Sequence, residues 1–545
     1  MDIVHIQIDG KQLEAEVGSM IIEVADAADV TIPRFCYHKK LSVAANCRMC
    51  MVDVANLPKA VPACATPVAE GMIIETKSER AVAAQKSVME FLLINHPLDC
   101  PVCDQGGECE LQDLSVGYGE DISRFTEGKR VVTDKNLGPL IATDMTRCIH
   151  CTRCVRFGQE VVGIREMGAT GRGEHMEIGT YIESAVESEV SANIIDLCPV
   201  GALTAKPSKF KARAWELRQT SSIAPHDCLG SNVFVHHRRG EIIRVVPKEN
   251  EAINEVWLSD RDRFSYEALT EGERLLNPRI KVGGQWQDCD WSTALEKVAA
   301  DMKRIIGASQ GNEFGALLGN NVTTEESYLA QKMLRGVDCP NIDFRLRRRD
   351  YSGDGRGSVR SGFNFPLADL DHMDATLIVA ADLRHEQPLA ALRVRKSTGF
   401  GDVMAINPFD GEYNFRLSEE IQPAPHLLAQ ELACVLVAAD KRKPELLSAE
   451  AKEWLLPYSA SDIHLQIVDK LIAAENSCIL LGVYVQEHAH GEVINWLAET
   501  LALATDSRWG YMTQGGNAAG NKIAGAVPSQ SAAGGKAEQG KTAKE

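Results

Sequence analysis

The sequence predicts a multidomain protein of mixed α/β and α+β class, and three observations carry that expectation. The chain has 545 residues, more than one ordinary hydrophobic core accommodates. Eleven of its 16 cysteines lie between Cys36 and Cys198, so a cysteine-dense first third meets a cysteine-poor remainder near residue 215. Beyond that boundary, short apolar runs alternate with helical stretches, as parallel strands covered on both faces do.

Residues 3–8 alternate apolar and polar, Asp9-Gly10 is a hairpin turn signal, and the alternation resumes after it. Ser19 is placed to cap a short helix bearing Ile21, Ile22, Val24 and Ala25, which must end before Pro33. Met51–Val54 reads as another strand. Two strands, a helix and cysteine loops suggest a ferredoxin-like β-grasp domain over residues 1–78. Residues 79–95 place Val82, Val88 and Leu92 at helical spacing, and His96-Pro97 ends that helix, opening a second region over 79–139. A third compact region, 140–216, surrounds Cys148, Cys151 and Cys154 and closes at Cys198-Pro199. From 217 to 528, Phe314–Leu318, Thr376–Ala380, Val403–Ile406 and Cys478–Leu481 read as strands between helices such as 325–336 and 425–439. Residues 529–545 contain no large apolar side chain and are expected to be a disordered tail.

Composition narrows the function. Basic residues number 58 against 76 acidic ones, and the net charge of −18 argues against a general nucleic-acid binder. No apolar run approaches the ~20 residues of a membrane-spanning helix. The opening MDIVHIQIDG resembles neither a secretion signal nor an Arg-rich presequence, so a cytoplasmic setting is expected. There, cysteines serve as thiols or metal ligands rather than disulfides.

Three candidate ligand sets follow. The first is Cys36, Cys47, Cys50 and Cys64: four thiolates suit two bridged irons, although the ten-residue gap before Cys47 departs from plant-type spacing. A four-cysteine zinc site would take the same residues. In the second set, Cys100, Cys103 and Cys109 leave one of four positions empty, and His96 is the nearest residue to fill it. A histidine at a helix end is otherwise structural, and zinc competes here too. A neutral imidazole in place of a thiolate removes one negative charge, which by itself raises a cluster's potential. The third set, Cys148, Cys151 and Cys154 followed by a displaced Cys198-Pro199, follows the bacterial ferredoxin run and reaches the corners of a cubane. Arg147, Arg153 and Arg156 flank this loop; they offset cluster charge or, more commonly for such residues, face solvent. Together the sets consume every cysteine of the first 200 residues plus His96, a closure that favours iron–sulfur clusters. No nucleophile–base constellation accompanies them, and electron tunnelling needs none.

Other motifs read as structure. Gly353–Gly357 and Gly515–Gly520 are turns rather than phosphate loops, since neither clearly follows a strand and opens a helix. Arg345–Arg349 is a solvated or subunit-facing charged strip.

The pattern Cys36-x10-Cys47-x2-Cys50-x13-Cys64, His96-x3-Cys100-x2-Cys103-x5-Cys109 and Cys148-x2-Cys151-x2-Cys154…Cys198-Pro-Val-Gly-Ala-Leu resembles the large iron–sulfur subunit family of NADH–quinone oxidoreductase, which is respiratory complex I. The resemblance covers residues 1–215; residues 217–528 are more loosely similar to the molybdopterin-oxidoreductase fold. It implies a [2Fe–2S] cluster on the first set, a [4Fe–4S] cluster on each of the other two, and no molybdenum. It further implies that NADH and FMN sit on a partner subunit, and that this chain carries electrons towards quinone without being catalytic alone. The implied partners are the other peripheral-arm subunits, and the implied place is the cytoplasmic face of the bacterial inner membrane, reached only through those partners.

There are two departures. Some relatives hold a further four-cysteine cluster where Ser221–Cys228 and Ser259 here offer one cysteine, so that cluster is expected to be absent. The similarity also breaks off near Pro528, where relatives continue. Two other readings compete: the large subunit of an NAD-linked formate dehydrogenase, which needs a molybdenum ligand and the extra cluster, and a zinc-stapled scaffold. An iron-only hydrogenase would need further clustered cysteines.

Overall fold

The computed structural model describes residues 2–181, 184–270, 272–309, 311–354 and 362–545. They form two compact units: Met1–Thr220 with Val235–Val246, and Ser221–Phe234 with Pro247–Glu545.

The first unit opens with β1 (Ile3–Ile8) and β2 (Lys11–Glu16), an antiparallel hairpin whose turn residues Asp9 and Gly10 both have positive φ, +46° and +84°. That geometry matches the twist of the strands and suits Asp-Gly. Val4, Ile6 and Ile8 point inward. The helix α1 (Ile21–Ala27), with β3 (Met51–Val54), β4 (Val61–Pro62) and β5 (Ile73–Glu75), completes a five-stranded sheet in the order β2-β1-β5-β3-β4. β1 and β5 run parallel, Gln7 opposite Ile73, and Ile21, Ile22, Val24 and Ala25 pack on the sheet as the expected β-grasp requires. The cap is a correction. Helix α1 starts after Met20, whose N–H donates to Glu23 Oε2 at 2.8 Å, while the Ser19 N–H is taken by the turn at Glu16.

Helix α2 (Glu79–Ile94) is capped by Ser78 Oγ, which accepts from the Ala81 N–H at 3.1 Å, and it ends just before His96. After α3 (Glu110–Tyr118), β6 (Ile141–Thr143) precedes α4 (Arg153–Arg156), which runs into a π-helical turn, Phe157–Val162. The hairpin β7 (Met167–Thr170) and β8 (Glu177–Thr180), then α5 (Asn193–Leu197), lead to β9 (Leu203–Ala205), which pairs antiparallel with β6. β6 and β9 thus bracket the third cysteine set in sequence. A three-stranded sheet follows, β10 (Arg218–Ile223), β11 (Asn232–Arg238) and β12 (Glu241–Pro247).

In the second unit, helix α6 (Asp260–Phe264), the hairpin β13 (Arg279–Val282) and β14 (Gln285–Asp288), and helix α7 (Trp291–Ser309) precede a small parallel pair. This pair is β15 (Ala316–Leu317) with β16 (Ile342–Asp343), joined through α8 (Thr324–Arg335). The strand expected over 314–318 therefore has two ladder residues, because only Ala316 and Leu317 find partners.

The main sheet has the order β17-β22-β21-β18-β19-β20, made from β17 (Gly362–Phe363), β18 (Ala375–Val379), β19 (Asp402–Ile406), β20 (Glu419–Ile421), β21 (Ser477–Leu481) and β22 (Arg508–Tyr511). Five strands are parallel, and β17 joins antiparallel at the edge. β18 and β21 are buried throughout, as their unbroken apolar runs predicted. Helices such as Leu428–Arg442, Asp462–Ala473 and Gly491–Thr505 pack on them, with Leu432, Leu436, Leu471, Leu497 and Leu501 in the core.

Residues 529–545 differ from the disordered tail expected. They follow a defined path: the Lys541 N–H donates to Asn341 Oδ1 and the Ala543 N–H to Asp343 Oδ2, at 2.9 and 3.0 Å. Backbone hydrogen bonds replace the missing apolar side chains, and Gly540 permits the approach, since a Cβ there would meet Pro340 O at 2.2 Å. No helix among the described residues is long and apolar enough to cross a membrane.

Candidate metal centres

All sixteen cysteines are free thiols. The structure brings the first set together: the Cys36 thiol shares hydrogen bonds with those of Cys47 and Cys64, and Cys64 with Cys50. These contacts pull Cys36 and Cys50 below the usual thiol range and push Cys47 and Cys64 above it. The Cys36 N–H also donates to Cys47 Sγ at 3.4 Å. Ala45 and Arg48, with φ of +50° and +60°, hold left-handed backbone on either side of Cys47. Such residues cost ~1–3 kcal/mol each and are kept where a loop must curl around something.

In the second set, Cys103 and Cys109 are buried and Cys100 is exposed. Burial pushes the Cys109 thiol up, and charge on Cys103 or Cys100 pushes it further, so the three share one neighbourhood. His96 is less directly placed. Its ring lies half-buried near the charges of Arg147, Lys129 and Asp99. Burial and then the nearby charge of Arg147 lower it to about 4, leaving the neutral imidazole that ligation requires.

The third set converges. Burial raises Cys148 to about 11, Cys151 and Cys198 to about 12, and Cys154 well above its ordinary value. The Cys154 thiol feels Cys151, Cys198 and Cys148 together. His150 and Thr152, with φ of +54° and +60°, turn the loop between ligands, and the His150 N–H donates to Cys148 Sγ at 3.4 Å.

Free thiols in three groups, most of them buried or half-buried, with backbone N–H groups aimed at sulfur in the first and third, suit iron–sulfur clusters.

Sequence reasoning missed the residues that join the sets. Gly201, three positions after Cys198, lies against the second set: a Cβ there would be 2.2 Å from Cys103 Sγ. The Cys109 thiol faces Pro199 O at 3.7 Å. The motif Cys-Pro-Val-Gly-Ala was the available signal, since a glycine so near a ligand marks close approach. Arg147, Arg153 and Arg156 are buried rather than solvated.

Elsewhere, the other motifs resolve into packing. Gly353 abuts Glu492, while Gly355, Arg356 and Gly357 lie outside the described residues. The Gly515–Gly520 stretch does follow β22 and open a short helix, Ala518–Ile523, contrary to the expectation. Its Gly516 and Asn517 N–H groups are already taken by Asn321 Oδ1 and Asn320 O, so it remains a turn. Arg345 and Arg348 are not a solvated strip: Arg345 pairs with Asp343 and Asp354, and Arg348 with Glu492. Cys228, Cys289, Cys339, Cys434 and Cys478 stand apart from one another. Cys339 Sγ meets Phe314 O at 3.1 Å, and Cys478 Sγ meets Thr376 Oγ1 at 3.6 Å. Burial lifts Cys228 to about 12, and its neighbours are Asp227 and Thr513.

Comparison with known proteins gives five family matches. Residues 2–79 match a 2Fe-2S iron-sulfur cluster binding domain, 85–124 the NADH-ubiquinone oxidoreductase-G iron-sulfur binding region, and 138–204 the ferredoxin-like domain of NADH-quinone oxidoreductase subunit 3. Residues 217–267 match an NDSU1/NuoG-like 4Fe-4S domain, and 274–542 match molybdopterin oxidoreductase, past the expected limit at 528. The 217–267 stretch keeps one cysteine, Cys228.

The chain is 43% identical over 409 residues to the NADH-quinone oxidoreductase G subunit of Rickettsia felis, covering 75% of this chain and 60% of the relative. It is 46% identical to the mitochondrial NADH-ubiquinone oxidoreductase 78 kDa subunit of Neurospora crassa, covering 72% and 53%. It is 38% identical over 512 residues to the NADH-ubiquinone oxidoreductase 75 kDa subunit of Reclinomonas americana, covering 92% and 69%. The chain thus spans between 53% and 69% of the length of these relatives.

Proposed function

The chain belongs to the family of large iron–sulfur subunits of NADH–quinone oxidoreductase, and from that premise we propose that it is an electron-transfer subunit of a proton-pumping NADH–quinone oxidoreductase. In this reading Cys36, Cys47, Cys50 and Cys64 hold a [2Fe–2S] cluster. His96, Cys100, Cys103 and Cys109 hold one [4Fe–4S] cluster, and Cys148, Cys151, Cys154 and Cys198 hold another. Bound clusters of this kind take up and release single electrons without group transfer. The chain's own residues supply the thiolates, exclude water and fix the spacing.

One observation carries the reading. A single apolar cluster contains Phe35, Met49, Met89, Leu111 and Val200 with Cys109 of the second set, and half-buried Cys47 of the first and Cys148 and Cys198 of the third pack against it. Apolar packing shared by all three sets supports tunnelling between them. The third set is linked to both others: Asn46 Nδ2 donates to His150 O at 3.2 Å, and the Cys198–Gly201 segment lies on Cys103 and Cys109. A path running first, third, second is thereby favoured, and Cys100 of the second set is exposed at its end.

Residues 217–267 carry no fourth cluster in this account, and the α/β domain carries no molybdenum; it acts as scaffold. NADH and FMN belong to a partner in the peripheral arm, at the cytoplasmic face of a bacterial inner membrane, and the chain meets the membrane through its partners.

The test is reconstitution. NADH should leave the clusters of the purified chain oxidised, and should reduce them once the flavin-bearing partner is added, read by paramagnetic resonance. Reduction by NADH without a partner, or clusters that stay oxidised beside a reduced partner, would refute the assignment.

A further inference from the structure

The loop of the third set bears three arginines that are almost out of solvent: Arg147, Arg153 and Arg156 are 6%, 4% and 8% exposed. A buried guanidinium is costly unless a negative charge compensates it. Arg147 meets Asp99 and Asp144 at 3.0 and 3.1 Å, and Arg153 meets Glu110 at 2.8 Å. Arg156 meets no carboxylate among the described residues. Its fork donates to the carbonyl oxygens of Cys36, Ser42 and Cys151 and its Nε to Thr152 Oγ1, the last two at 3.3 Å. Cys36 belongs to the first set and Cys151 to the third.

Two further observations bear on this residue. Ser42, in the loop between Cys36 and Cys47, is held again by Glu160, which accepts its N–H at 2.8 Å; Glu160 lies one turn beyond Arg156 in the π-helical segment. The Cys151 thiol lies in the positive field of Arg156. Arg147 faces the other way: its charge acts on His96 and Cys103, and it donates to Gly201 O at 3.3 Å.

We propose that Arg156 is a positioning residue for electron transfer between the first and third centres, acting as the cation they share and as the tie between their loops. The inference rests on the ligand assignment above. Its missing carboxylate is accounted for by the thiolate charge of the two loaded centres. A cation beside a centre favours the reduced form, which is more negative, so Arg156 holds both potentials up. Among the described residues, no hydrogen bond of Arg156 goes to the second set, whose buried cation is Arg147.

The experiment is a redox titration of the assembled complex, followed by paramagnetic resonance, for the parent chain, Arg156→Gln and Arg156→Lys. The parent must first show three cluster signals; fewer would overturn the ligand assignment and leave the arginine variants irrelevant to that failure. Given three, Arg156→Gln is expected to lower the midpoints of the first and third centres while the second stays at its parent value. Arg156→Lys, which keeps the charge and loses the fork, is expected to retain both midpoints but to slow reduction of one centre by the other in freeze-quenched samples. The proposal is overturned if Arg156→Gln moves no midpoint, moves only one, or moves all three alike. Loss of cluster signals in both variants would make Arg156 a folding residue only, and would overturn it too.

Discussion

A methyl group on Gly201 would lie 2.2 Å from Cys103 Sγ and 3.0 Å from Gln105 Cβ. Gly201→Ala must therefore push the second set apart, at an overpacking cost of roughly 1–3 kcal/mol. The expected outcome is a lost or altered signal from the His96, Cys100, Cys103 and Cys109 centre, with the first centre's signal intact. An unaltered spectrum would show that Cys103 is not a ligand or that the loop yields freely. His96 supplies the companion measurement. His96→Ala should remove or convert one [4Fe–4S] signal and spare the [2Fe–2S] signal, and His96→Cys should restore a four-thiolate centre of changed potential, since it adds a negative charge. Full-intensity spectra in His96→Ala would leave it as the residue that ends α2. The candidate cysteines could be picked out because they stand at short, repeated spacings such as Cys148-x2-Cys151-x2-Cys154, the spacing that ligands of one cluster would need. Gly201 and Arg156 were visible as neighbours of ligand candidates, in Cys-Pro-Val-Gly-Ala and beside Cys154, but the residues they touch were not. Their contacts are long-range, Arg156 reaching Cys36 across 120 residues, and nothing in the local pattern records that.

Among the elements, β18 and β21 were readable from four or five apolar residues in a row, because a parallel strand buried on both faces leaves no polar alternation to obscure it. β15 was overread, since an apolar run fixes burial but not the number of ladder partners. The β17 edge strand was missed because two residues, Gly362 and Phe363, carry no periodicity. The start of α1 shifted by one residue because Met20, extended and with its N–H held by Glu23, takes the N-cap position. The buried strand β21 also gives a prediction: Cys478 is fully buried beside Thr376, so Cys478→Ala should cost roughly 1–3 kcal/mol in denaturant unfolding, as a packing loss. No cluster spectrum should change, and the same holds for Cys228, Cys289, Cys339 and Cys434. Loss of a cluster signal from any of these five would place redox chemistry in the second unit.

In the molecule as a whole, eleven cysteines lie in the first unit and five stand singly in the second. That division was visible in the cysteine count alone, since metal chemistry concentrates ligands and packing does not. The path of residues 529–545 was not visible, because backbone groups and a glycine hold it and composition reports only side chains. The central claim is that twelve ligands in the first unit hold three iron–sulfur clusters and that the rest of the chain holds none. Anaerobic metal and sulfide analysis of the purified chain, with paramagnetic resonance after reduction, tests it most directly. The account predicts about ten irons per chain in one [2Fe–2S] and two [4Fe–4S] clusters, without zinc or molybdenum. Stoichiometric zinc in place of iron, stoichiometric molybdenum, or about four further irons would contradict it.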